Sequence, residues 1–181
     1  MKTRTIALAV LAITTLGGQL ISGAVTLQDT NPSTSIEAPQ TDPQPCTRAA
    51  LTIKEGETDA AMGGVRRTPY TLTNVSKTPC VLKGHVSLEL LNKAGAIVKR
   101  ATKQKTDDPI TAAILEPGKT AWFALNFNAG GAGYMGKPCP VYRQMKVTTP
   151  GAQSPFVLKT EIQTCAKSDF SVTPITAGAP E

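Results

Sequence analysis

Between residues 120 and 127 the chain alternates without a break. Ala121, Phe123, Leu125 and Phe127 fall on one side, and Trp122, Ala124 and Asn126 on the other. Side chains leave a pleated strand on opposite faces in turn, so this pattern predicts a strand with one face on a core. A strand of that kind needs neighbours on its edges and a second layer over its apolar face. The rest of the sequence supplies short segments able to do this. Residues 51–53, 70–74, 86–90, 96–98, 114–115, 144–148, 156–160 and 170–173 read as strands. Within them, Tyr70, Leu72 and Asn74 share one face, and Val86, Leu88 and Leu90 another. Turn residues separate them: Ser76 to Pro79, Asn92 to Gly95, Glu116-Pro117-Gly118 and Pro150-Gly151. The 14 prolines and 15 glycines of the 181-residue chain fit many short segments better than a helical bundle. Residues 99–105 tolerate a helix but carry little apolar content, and no segment holds a helical period over three turns. The expectation is an all-β, antiparallel, immunoglobulin-like β-sandwich.

The N-terminus sets the compartment. Lys2 and Arg4 precede an apolar run from Ile6 to Leu16, and Ser22-Gly23-Ala24 offers a small-residue cleavage site. This order predicts a signal peptide over residues 1–24. The run is too short for a membrane span of roughly 20 residues, and no cysteine follows it closely enough to carry a lipid. The mature chain is therefore expected to be secreted or periplasmic, without a transmembrane span. Residues 25–45, with Pro32, Pro39, Pro43 and Pro45 among polar residues, read as a flexible linker. The folded domain is expected over residues 46–175, with residues 176–181 as a disordered tail.

Export changes the meaning of Cys46, Cys80, Cys139 and Cys165. In an oxidising compartment an even number of widely spaced cysteines predicts two disulfides. Three pairings are open, and the sequence alone does not choose among them; the expected pairing joins neighbours in order, Cys46 to Cys80 and Cys139 to Cys165. A cysteine nucleophile or a zinc site is disfavoured, because there is one histidine, His85, and no paired metal-ligand spacing. No metal and no cofactor is expected. The formal charge of +6 falls to +4 without Lys2 and Arg4, a mild excess that favours anionic envelope polymers or headgroups.

No motif assigns a chemistry. Gly131-Ala-Gly133-Tyr-Met-Gly136 matches a dinucleotide-binding pattern, but Lys137-Pro138-Cys139-Pro140 follows where a helix should start. The same loop presents Tyr134, Met135 and Lys137 among glycines, a plausible recognition tip. Its glycines argue against the rigidity of a protease-inhibitor loop. Lys99, Arg100, Lys103 and Lys105 form a basic run beside Asp107 and Asp108, best read as a charged sheet edge that prevents pairing between molecules. The run lacks interleaved aromatics, so nucleic acid is not an expected partner. No serine stands in a nucleophile-elbow context that His85 could serve. The Asp107-Asp108 pair reads as solvated charge, since glycosidase carboxylates face one bond from separate elements. Trp122, the only tryptophan, alternates away from the core face and is a candidate contact residue unless the terminus or a loop covers it. Asn74-Val75-Ser76 is a formal N-glycosylation acceptor.

An ordered set of landmarks resembles one bacterial family. Cys46 opens the domain. Tyr70-Thr-Leu-Thr-Asn74-Val-Ser76 leads to Pro79-Cys80-Val-Leu-Lys-Gly84, and Leu115-Glu-Pro-Gly118-Lys-Thr-Ala121 leads into the aromatic strand. Cys139-Pro140 precedes a strand ending at Pro150-Gly151, and Cys165 lies near the end. The set is similar to the secreted domain-of-unknown-function family DUF4232, over residues 46–174. The resemblance implies an exported β-sandwich with two internal disulfides and carries no catalytic residue or ligand. Many members are lipid-anchored; this chain lacks the anchor cysteine. The reading that follows is a non-enzymatic domain that binds an envelope protein or an anionic polymer, with a structural spacer, or a secreted enzyme or enzyme inhibitor, as alternatives.

Overall fold

The structure, a computed structural model, describes residues 42–60, 64–129 and 138–180. The signal-peptide reading, most of the linker reading and the glycine-rich loop with Tyr134, Met135 and Lys137 lie outside the described residues.

Among the described residues the chain is all-β. A 3₁₀ turn, Arg48–Ala50, leads into β1 (Leu51–Glu55). Then come β2 (Asp59–Ala60), β3 (Val65–Asn74), β4 (Cys80–Leu82), β5 (Ser87–Leu91), β6 (Ile97–Arg100) and β7 (Thr102–Lys103). The second half holds β8 (Ala113–Leu115), β9 (Thr120–Asn128), β10 (Val141–Thr148), β11 (Phe156–Gln163), β12 (Phe170–Val172) and β13 (Thr176–Ala177). The larger sheet runs β1-β3-β9-β12-β7, with β2 added on β3 and β13 on β9; the smaller runs β11-β10-β5-β6. A separate pair, β4-β8, closes one side. All ladders are antiparallel except the two-residue pairing of β7 with β12. The range 99–105 holds β6 and β7, not a helix.

The strand with the clearest alternation is the middle of the larger sheet. β9 pairs with β3 from Thr120 opposite Thr73 to Asn128 opposite Val65. Its inward residues Ala121, Phe123, Leu125 and Phe127 are buried against Leu88 and Leu90 of β5, Met145 and Val147 of β10, and Phe156 and Ile162 of β11. Tyr70 and Phe123 face each other across the ladder and stack with centroids 5.3 Å apart, a contact worth ~1 kcal/mol beyond its buried area. The 116–119 turn depends on Gly118, whose φ of 78° only glycine adopts without cost, and Lys119 N–H closes it on the Glu116 carbonyl at 2.9 Å. The two disulfides are Cys46–Cys80 and Cys139–Cys165, the sequential pairing.

Both ends of the described chain are more ordered than composition suggests. Residues 176–181 read as a tail, yet Thr176 and Ala177 pair with Trp122 and Ala121 of β9. β12 is only three residues long and leaves the first half of β9 unpaired on the edge opposite β3, so β13 fills the vacant ladder. Buried Ile175 anchors it, and Gly178 N–H donates to the Thr120 carbonyl at 2.9 Å. At the other end Gln44 and Pro45, read as linker, dock on β4: Val81 N–H donates to the Gln44 carbonyl at 2.9 Å. A side chain at Gly151 would place its Cβ 2.6 Å from that of Pro45, so the Pro150-Gly151 turn needs glycine to lie against this segment.

One polar contact crosses the core edge. Tyr70 is fully buried, its hydroxyl lacks a hydrogen-bond partner among the described residues, and Glu55 and Thr160 lie beside it. Burial pushes the Glu55 carboxyl above its ordinary value of 4.5. A raised carboxyl value means that the folded state holds the proton more tightly than the unfolded chain. This group therefore favours folding below about pH 4.5, and the benefit is lost as pH rises through the folded value. Glu55→Gln is thus expected to raise the thermal midpoint modestly at pH 7 and leave it unchanged at pH 3. Melts followed by circular dichroism at the two pH values check this; an equal effect at both would assign the change to packing instead.

Candidate functional site

The outward face of β9 carries the most distinctive surface. Trp122, Ala124 and Asn126 point away from the core, and the ladders fix what stands beside them. Thr71, Pro69 and Arg67 of β3 lie opposite Trp122, Ala124 and Asn126 in turn. On the other edge Ser171 of β12 lies opposite Asn126, and Thr176 of β13 opposite Trp122. Residues paired in a ladder share a face, so Arg67, Asn126 and Ser171 form one row across three strands.

Gln104, just past β7, extends the row: Asn126 Nδ2 donates to Gln104 Oε1 at 3.0 Å. Gln104 is held by its backbone, since its N–H donates to the Val172 carbonyl at 2.8 Å and its carbonyl accepts from His85 Nε2 at 3.1 Å. The row floors an open trough of about 570 Å³, also lined by Val65, Thr173 and Asp169. Thr173 Oγ1 accepts the Ala124 N–H at 2.8 Å and thereby locks the chain leaving β12 onto β9. Arg67 is exposed and reaches along β3, over small Ala124, until its guanidinium lies 5.3 Å from the centre of the Trp122 ring. Trp122 is half-buried: β13 runs beside it and Arg67 lies over it.

Behind the trough, Lys99 secures the turn that carries Asp169. Lys99 pairs with inward-facing Leu90, and its ammonium donates to the carbonyls of Cys165, Ala166 and Ser168, the last at 2.8 Å. Burial lowers its pKa, while the charge of Asp169 works the other way.

The remaining sequence candidates scatter. The basic run does not form one patch. Lys99 turns inward, Arg100 pairs with Glu89 at 2.9 Å, and Lys103 and Lys105 are exposed beyond the crossing from one sheet to the other. β6 and β7 are edge strands of the two sheets, so the run sits where edge-protecting charge belongs. Asp107 and Asp108 are exposed, in a bend where Asp108 N–H donates to Thr106 Oγ1. His85 is committed to the Gln104 carbonyl. Asn74 is fully buried with both ends of its amide bonded, which leaves the acceptor motif no free nitrogen to modify. No three His, Cys, Asp or Glu side chains gather to hold a metal ion among the described residues, and no described helix is long and apolar enough to cross a membrane.

Trp122 and Asn126 could be placed on one face from alternation alone. Arg67, Gln104, Ser171 and Asp169 were not singled out, because only strand register brings four distant segments to one row.

The arrangement can hydrogen-bond and stack. The trough is lined by three carboxamides (Gln104, Asn126 and Asn128), two hydroxyls (Ser171 and Thr173), one guanidinium and one carboxylate, with the Trp122 indole beside it on the same sheet. Compared with known families, the chain matches the model described as Domain of unknown function (DUF4232) over residues 46–176. No curated protein matches it.

Proposed function

The chain belongs to the DUF4232 family, and from that premise we propose that it is an exported, non-enzymatic β-sandwich domain that binds a protein or polymer of the cell envelope. The observation that supports this reading is the in-register row of Arg67, Asn126 and Ser171, extended by Gln104 and ending near Trp122. Polar side chains on a rigid sheet keep their geometry on binding and lose little freedom, which favours recognition. The N-terminal pattern of basic, apolar and small residues supports export, and the two disulfides support an oxidising compartment.

The test is co-sedimentation of the purified mature chain with washed envelope fractions of the producing cells. Retention is expected to fall at least tenfold in an Arg67→Ala/Asn126→Ala double variant. It should be unchanged in Lys159→Ala, which alters an exposed residue on β11 of the smaller sheet. Equal retention of all three would move the site elsewhere. No retention of any of them would favour a spacer.

A further inference from the structure

We infer that the trough binds a neutral polysaccharide, a reading that rests on the binding-module proposal and names its ligand class. The argument begins with charge. Arg67 and Asp169 are the two charged residues lining the trough, one of each sign, so its described lining carries no net charge. A polyanion would meet a single cation and a carboxylate that repels it; an uncharged ligand meets neither penalty.

Hydrogen-bond character points the same way. A sugar hydroxyl both donates and accepts, and so do a carboxamide and a serine hydroxyl. The bond from Asn126 Nδ2 to Gln104 Oε1 orients the opposite ends of the two amides, an acceptor Oδ1 and a donor Nε2. Ser171, on β12 between β9 and β7, stands beside this pair in the same row. Phosphate and carboxylate groups only accept, and would leave the acceptors of this row without partners.

A peptide fits less well. Strand addition needs a free ladder edge of some length, whereas β3, β9 and β12 are paired on both sides around the trough and the edge strand β7 is two residues long. Side-chain docking needs an apolar pocket, and the apolar side chains lining the trough are Val65 and buried Phe127.

Trp122 gives the ligand its length. The part of the half-buried indole that Arg67 and β13 leave exposed, just beyond the trough, offers apolar surface to the C–H groups of a sugar ring. Trp122 and Asn126 are four residues apart on one strand, about 13 Å, and Ala124 between them is fully buried, with Arg67 bridging the interval. A ligand that reaches both is a chain of sugars. Arg67 joins the two ends, opposite Asn126 in register and over the Trp122 ring.

Because Trp122 is the only tryptophan, its fluorescence reports this site alone. The experiment is affinity electrophoresis of the full mature chain through native gels containing dextran, mannan, β-1,3-glucan or polyphosphate. Titration of Trp122 fluorescence follows, with oligosaccharides of whichever polymer retards the protein. The expected result is retardation by a neutral polysaccharide with a saturable change in Trp122 emission. Asn126→Ala and Gln104→Ala should weaken binding at least tenfold with unchanged thermal midpoints, so that loss cannot be assigned to unfolding. Retardation by polyphosphate alone, retardation that both variants retain, or no retardation by any neutral polymer would overturn the inference. If envelope co-sedimentation still depends on Arg67 and Asn126 in that case, the binding-module reading stands and the ligand is of another class. If co-sedimentation also fails, both readings fall.

Discussion

Asn74→Asp is expected to destabilise the protein by about 3–5 kcal/mol at pH 7, the range for a buried charge left without compensation. Asn74 is fully buried at the end of β3, and its amide is bonded on both sides. Nδ2 donates to the carbonyls of Thr78 at 2.9 Å and Leu115 at 2.8 Å, while Oδ1 accepts from Ser76 N–H at 2.9 Å and Ser76 Oγ at 2.7 Å. Its backbone is committed as well, to Lys119 and Gly118 of the turn before β9. One side chain thus ties β3, the 76–79 turn and the end of β8 together. Aspartate keeps the shape and the two accepted bonds, but sets a carboxylate against two carbonyl oxygens. Burial and those carbonyls raise its folded-state pKa, so the variant regains stability as pH falls and the protonated oxygen donates to one carbonyl. The deficit relative to the parent should therefore be smaller at pH 4 than at pH 7, measured by urea unfolding on Trp122 fluorescence. Ser76→Ala, which loses a hydroxyl bond in a mostly exposed turn, should cost about 1 kcal/mol at either pH. A pH-independent deficit for Asn74→Asp would show that packing, not the carbonyl pair, governs this position.

Asn74 also shows how far the sequence could be read. Alternation placed it inward with Tyr70 and Leu72, and that is where it lies. The pattern says which face a residue takes; it does not say what a polar residue meets there, because the Leu115 carbonyl comes from 41 residues away. The same division runs through the fold. Strands with four or more alternating residues, such as β3, β5, β9 and β10, were legible because each carries its own period. β2, β7 and β13 have two residues each, too few to show one, and exist because a longer neighbour had an unfilled edge. The basic run looked like one surface feature, yet pairing turned Lys99 inward, where its stem is buried and its ammonium finds three carbonyls. In the candidate site, Trp122 and Asn126 were visible as a shared face. Their partners became visible only with the register that sets Arg67 and Ser171 on either side of Asn126.

The disulfides are expected to contribute comparably to stability and to differ sharply in lability. Closing 34 residues, Cys46–Cys80 stabilises by about 4 kcal/mol in the chain-entropy account, and Cys139–Cys165, closing 26, by about 3.5 kcal/mol. Each Cys→Ala pair should lower the urea midpoint accordingly. Access separates them. Cys46 is 0% exposed and Cys80 5%, inside the core cluster, so a reductant reaches that bridge only after the fold opens. Cys165 is half-buried at a surface turn held by Lys99, outside the core cluster, so a local opening of that turn exposes this bridge without unfolding the domain, although Cys139 is buried. Under native conditions with dithiothreitol and an alkylating agent, peptide mapping should find Cys139 and Cys165 modified first, at a rate that rises with reductant. Cys46 and Cys80 should follow much more slowly, at a rate scaled by the small population of the unfolded state and accelerated by urea far more than that of the first bridge. The first loss also frees the segment from Cys165 to Asp169 that edges the trough, so single-bridge reduction should weaken envelope retention before it unfolds the domain. Simultaneous modification of all four cysteines would mean that the 165–168 turn opens only with the whole sandwich, and that Lys99 holds it as firmly as the core holds Cys46.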